Sequence, residues 1–133
     1  MARSSRTYRL TLSPAGMDVL IDAHCHFIRS TRALAAWGTT LNVAVHHLAT
    51  RPVDEVKAAL SGVPSSGLMG DQHHFLGAPA SMNQCAAEII RAAMGAAGDG
   101  APAELRHVYI VALQVLLVAE ASSISRIYQE IVL

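Results

Sequence analysis

The chain has 133 residues, enough for one domain with a real hydrophobic core. Abundant Ala, Leu, Ile and Val with few aromatics points to a helix-rich fold and away from a β-sandwich. Net charge is zero, no apolar run reaches the roughly 20 residues of a membrane span, and the arginine-bearing start lacks the apolar stretch of a secretory signal, so a cytoplasmic protein with no membrane partner is expected.

Residues 1–6 read as a flexible basic arm. Tyr8, Leu10 and Leu12 alternate with Arg9, Thr11 and Ser13, the period of a half-buried strand, and a lone strand must pair with something. The stretch from Thr7 to Trp37 admits two readings. In one, Ser13 and Pro14 start a helix that runs past Trp37, with Ser13 capping the free amides and Pro14 losing no hydrogen bond. Met17, Leu20 or Ile21, His24, Phe27 or Ile28, Thr31 and Leu34 then form one mostly apolar stripe. In the other, Val19 to Phe27 is a strand carrying Asp22, His24 and His26 on one face. Side chains two apart share a face in a strand but lie about 200° apart on a helix, so His24 and His26 can chelate one ion only if the segment is extended. The local signals favour the helix.

Gly38 marks a break or kink, after which Leu41, Val45 and Leu48 continue the stripe to Ala49. His46 and His47 sit near that helix's carbonyl end, a place for capping or surface imidazoles that the dipole favours in protonated form. Pro52 opens a short helix with Val53, Val56 and Leu60 as its buried face and Ser61-Gly62 as its stop. Residues 62–80, rich in Gly, Ser and Pro, show no sustained period and read as a long loop carrying Asp71, Gln72, His73 and His74.

Ser81 and Gln84 make a capping-box pattern for a helix burying Met82, Cys85 or Ala86, Ile89 and Ala93, ended by residues 95–100. Pro102 opens the last segment, a helix over residues 103–121, with a strand over Val108 to Val118 as the main competing reading. Val108, Val111, Leu113, Val115, Leu116 and Val118 cover nearly its whole circumference, as befits the central helix of a core. Ser122 or Ser123 caps a final helix through Ile124, Ile127, Ile131 and Val132. Cys25 and Cys85 give neither a disulfide framework nor metal spacing and read as small buried residues. The expected fold is a mainly α, single helical domain over 1–133 with one short amino-terminal strand.

Charge separates the halves. Through Arg51, six arginines face Asp18 and Asp22, a net +4, and the remainder carries −4. Arg3, Arg6, Arg9, Arg29 and Arg32 are therefore candidate contacts for a polyanion. No P-loop, nucleophile elbow or dinucleotide fingerprint occurs, and Asp54-Glu55 are first-turn carboxylates favoured by the helix dipole.

Two families share short features with the chain. Leu20-Ile21-Asp22-Ala23-His24-Cys25-His26-Phe27 resembles the first strand of the amidohydrolase and TatD-like hydrolases. There, the resemblance implies, His24 and His26 would hold zinc or another divalent ion that activates water. Strand, Pro and long helix with Leu20, His24 and Trp37, followed at the carboxyl end by residues 125–132 (SRIYQEIV), resembles the amino-terminal wedge and recognition-lobe region of type V CRISPR effectors and their TnpB relatives. That resemblance implies a catalytically silent piece of a larger effector that contacts guide RNA and target duplex through arginines on phosphates, without a cofactor. A helical protein-interaction domain needs only the apolar helices.

Overall fold

The helix expected to start at Ser13 and Pro14 forms, over Pro14–Thr31 rather than past Trp37, and its first residues do what their chemistry demands. The Ser13 hydroxyl accepts from the Gly16 amide at 3.1 Å and donates to the Gly67 carbonyl at 2.7 Å, with Pro14 opening the first turn. The computed structural model describes residues 5–61, 67–94 and 102–132. Among these the order is β1 (Ser5–Leu12), α1 (Pro14–Thr31), α2 (Trp37–Ala49), α3 (Val53–Leu60), β2 (Gln72–Pro79), α4 (Ser81–Met94), α5 (Pro102–Leu117) and α6 (Ala121–Val132). The architecture is mainly α with a two-stranded antiparallel ribbon.

The long helix ends sooner than the stripe suggests. The Ser30 and Thr31 hydroxyls donate to the carbonyls of His26 and Phe27, four residues back, and the Thr31 hydroxyl also accepts from the Ala33 amide. Arg32, in the left-handed region at φ 57°, closes the helix through its amide on the Ile28 carbonyl. The break therefore lies at residues 32–36, and Leu34, expected on the buried stripe, is 98% exposed. Gly38 is not a kink. It sits in the first turn of α2, where a Cβ would overlap the Gly77 carbonyl oxygen, so the absence of a side chain is what lets α2 lie against β2.

β2 corrects the expected loop. Within residues 62–80, the segment Gln72–Pro79 pairs antiparallel with β1 in the register Tyr8↔Leu76, Arg9↔Phe75 and Leu10↔His74. The arm is corrected too, because Ser5 and Arg6 already belong to β1, while residues 1–4 and the glycines at 95–100 lie outside the described residues. β1 buries Tyr8, Leu10 and Leu12; β2 buries only Leu76 and Ala78.

α5 is the central helix, touching α1, α2, α3, α4 and β1. Residues 108–113 and Leu116 are all buried, so nearly every side of this helix meets apolar neighbours. It stops at Leu117, before the expected end, and leaves Val118 in solvent; α6 then begins at Ala121, ahead of the serines expected to cap it. Tyr8 meets Tyr109 edge to face at 5.8 Å, and Phe27 meets Tyr128 likewise at 5.3 Å, which ties the ribbon to α5 and α1 to α6. In α3, Val56 is buried while Val53 is 51% exposed, because only a narrow stripe of this two-turn helix reaches α4 and α5.

Candidate nucleic-acid interface

Strand periodicity sorts the ribbon into two faces. The inward face carries Tyr8, Leu10, Leu12, Leu76 and Ala78. The outward face presents the opposed pairs Thr7 with Gly77, Arg9 with Phe75, and Thr11 with His73. Arg9, His73 and Phe75 are exposed, Phe75 at 64%, which is unusual for a large aromatic in a sheet. A Cβ built on Gly77 would meet nothing within 4 Å, so the ring of Phe75 borders open space on that side.

Neither strand contains a carboxylate: β1 reads SRTYRLTL and β2 reads QHHFLGAP. Arg6 shares the inward parity of Tyr8 and Leu10 but is exposed at the end of the ribbon, so it forms a rim cation beside the outward Arg9. Arg29 lies exposed in the last turn of α1, and Arg32 is the exposed cap that follows it. The five candidate arginines thus divide into a ribbon pair and an α1-end pair, and Arg3 lies outside the described residues. Among the described residues the one ion pair is Arg51 with Glu55, so the carboxylates leave all four of those arginines available.

The histidines have other employment. With residues 22–27 helical, His24 and His26 point to different sides of α1 and do not meet. His24 is buried, its Nδ1 2.7 Å from the Thr40 hydroxyl and its ring stacked on Trp37 with centroids 4.0 Å apart. His26 donates from Nε2 to the Ala119 carbonyl at 2.8 Å, fastening α1 to the turn after α5. His107 fastens α5 to the end of α3 in the same way, through the Leu60 carbonyl, and His46 donates to the Asn42 carbonyl within α2. His26 and His107 thus satisfy carbonyls at helix ends, His24 braces α1 against α2, and His46 bonds within its own helix. Among the described residues no three His, Cys, Asp or Glu side chains are gathered in a metal-binding group.

His47 departs from the surface role expected of it. It is 3% exposed, and burial pushes its imidazole below the ordinary pKa, with Arg51 adding to that shift and Glu55 opposing it. The desolvation of the charged form outweighs the attraction of the helix's carbonyl end. His47 borders a depression of ≈ 330 Å³ between α2, α3, α5 and α6, with Arg51, Glu55, Glu120 and Ser123. Arg51 donates from Nε to Glu55 at 2.7 Å and from Nη2 at 3.3 Å, so its charge is already answered there, and Glu120 leaves the depression net negative. His47 Nδ1 has no hydrogen-bond partner, so this nitrogen is not joined to a nucleophile. The cysteines are half-buried; burial, helped by Glu88, pushes the Cys85 thiol up to about 11, which removes it as a nucleophile at neutral pH.

Sequence reasoning found Arg6 and Arg9 through charge asymmetry, but it missed Phe75 and Gly77 as surface features because it read their segment as loop. The need of β1 for a partner was the signal that could have found them. Compared with known protein families, curated proteins and solved structures, the chain matches none.

Proposed function

We propose that this chain is a non-catalytic nucleic-acid-binding module whose contact surface is the outward face and rim of the β1–β2 ribbon. The observation that carries the reading is a surface with two exposed arginines, an exposed aromatic ring and no carboxylate on either strand. Arginines without acidic partners meet phosphates at little cost, since no ion pair must be broken first. Arg29 and Arg32 supply a second cationic pair at the end of α1. Contacts of this type hold the backbone and set position; they do not read sequence.

The resemblance to the amino-terminal region of type V effectors supplies the finer version of the proposal, in which the chain contacts guide RNA or target duplex as part of a larger assembly. The ribbon chemistry supports the coarser version without it. The hydrolase alternative draws no support, because its two histidines occupy different faces of α1.

Fluorescence anisotropy with a structured RNA and a short duplex DNA, across a salt series, tests the proposal. With all five arginines on phosphates the log–log slope is roughly −3.5 to −4.5, and with only the ribbon pair roughly −1.4 to −1.8. Absence of binding to both probes at low salt overturns the reading and leaves a helical protein-interaction domain as the better account.

A further inference from the structure

Resting on that reading, we infer that the ribbon takes unpaired bases: its partner is single-stranded nucleic acid, with one base stacked on Phe75 over the bare backbone of Gly77 and the adjoining phosphate on Arg9. Phe75 is directly opposite Arg9, and cross-strand side chains so paired start about 5 Å apart. A base lying on the ring therefore brings its own phosphate within reach of the guanidinium.

Gly77, two residues along the same strand, is the next outward position beside the ring, about 7 Å away. Any side chain there would wall the ring off, but the space over Gly77 is empty out to at least 4 Å. The flank of the ring is thus open on this side. Thr7 opposite Gly77 and His73 on the far side of Phe75 frame this platform with small or polar groups, and no acidic side chain on either strand repels the backbone.

A duplex uses such a platform poorly. Each base in a duplex already has both faces covered by its neighbours, so an aromatic ring on a flat sheet gains nothing unless a step is unstacked. A single strand offers free faces, and stacking on an aromatic is tolerant of sequence because every base has a π-face.

The test measures anisotropy of the full chain with a labelled oligo(dT) of about 12 nucleotides and with a hairpin duplex of similar length. The variants are Phe75→Leu, Gly77→Val and Arg9→Gln. Tighter binding of the single strand is expected. Phe75→Leu should weaken it roughly five- to hundredfold, the range for loss of one stacked base, and clearly more than it weakens duplex binding. Gly77→Val adds a strand-favouring residue into open space, so it should keep the thermal midpoint while weakening the single-strand complex. Arg9→Gln should weaken both probes and shallow both salt slopes. Equal affinity for the two probes, with Phe75→Leu and Gly77→Val indistinguishable from the parent protein, overturns this inference and leaves nucleic-acid binding intact. If neither probe binds, the proposed function fails and this inference with it.

Discussion

The helical layer and the outward face of the ribbon are built by opposite rules. Around α5, the packing serves exclusion of water: residues 108–113 and Leu116 are buried, tyrosines meet edge to face, and imidazoles tie down stray carbonyls. On the ribbon, Arg9, Phe75 and His73 stand in solvent a few ångströms from Tyr8, Leu76 and Leu10, which are buried. One two-stranded element thus has both characters: its inward face completes the core, and its outward face stays in solvent. A surface that contributes little to stability can change without harm to the fold, which is what a binding face requires.

The sharpest way to break this contrast is in the core. Leu116 is fully buried, and Leu116→Ala should destabilise by about 2–5 kcal/mol in chemical denaturation, through lost transfer energy and the cavity left behind. A loss below about 1 kcal/mol would mean that α5 is peripheral. The seam between the two regions comes next. Gly38→Ala places a methyl group on the Gly77 carbonyl, and since both atoms belong to backbone, α2 and β2 must part; about 1–3 kcal/mol of stability should be lost. A neutral result would show that α2 does not hold the ribbon.

A pH series probes the same layer more gently. His24 and His47 both titrate below the ordinary histidine value because burial disfavours their charged forms. Above an unfolded-state pKa of about 6.5 both states are neutral and stability is at its full value. As pH falls below that point the unfolded chain binds protons that the folded chain refuses, so stability declines until the folded-state values are passed. Urea midpoints at about pH 7.5 and about pH 5.5 should show this decline, and His24→Gln combined with His47→Gln should flatten it. An unchanged decline would assign it to other groups.

The smallest effect on stability, and a large one on binding, is expected at the ribbon's cations. Arg6→Ala with Arg9→Ala should shift stability by no more than about 0.5 kcal/mol, since neither side chain is buried or paired. The salt slope of nucleic-acid binding should shallow by roughly 1.4 to 1.8 units if both touch phosphate. A marked loss of stability would mean that the outward face belongs to the fold after all.

Legibility in the sequence followed the range of the interactions. Ser13-Pro14, the alternation of Tyr8, Leu10 and Leu12, and the apolar girth of α5 are local patterns, and each produced the element expected of it. The arginines were visible as a charge imbalance. β2 was not visible: its eight residues bury only two apolar side chains, and the run QHHFLGAP carries turn-favouring residues with no clear alternation. It is a strand because β1, some 60 residues earlier, offers it unpaired backbone groups and a shared apolar face.

Helix type, the Ser13 cap of α1 and the mainly α character were thus determined by the sequence alone, because they depend on contacts within a few residues. Why position 38 must be glycine and that His47 is buried were decided by tertiary structure. So was the one fact the proposals need most, that Phe75 and Arg9 face each other across an open ribbon, because strand register is fixed only when two distant segments bury their apolar faces together.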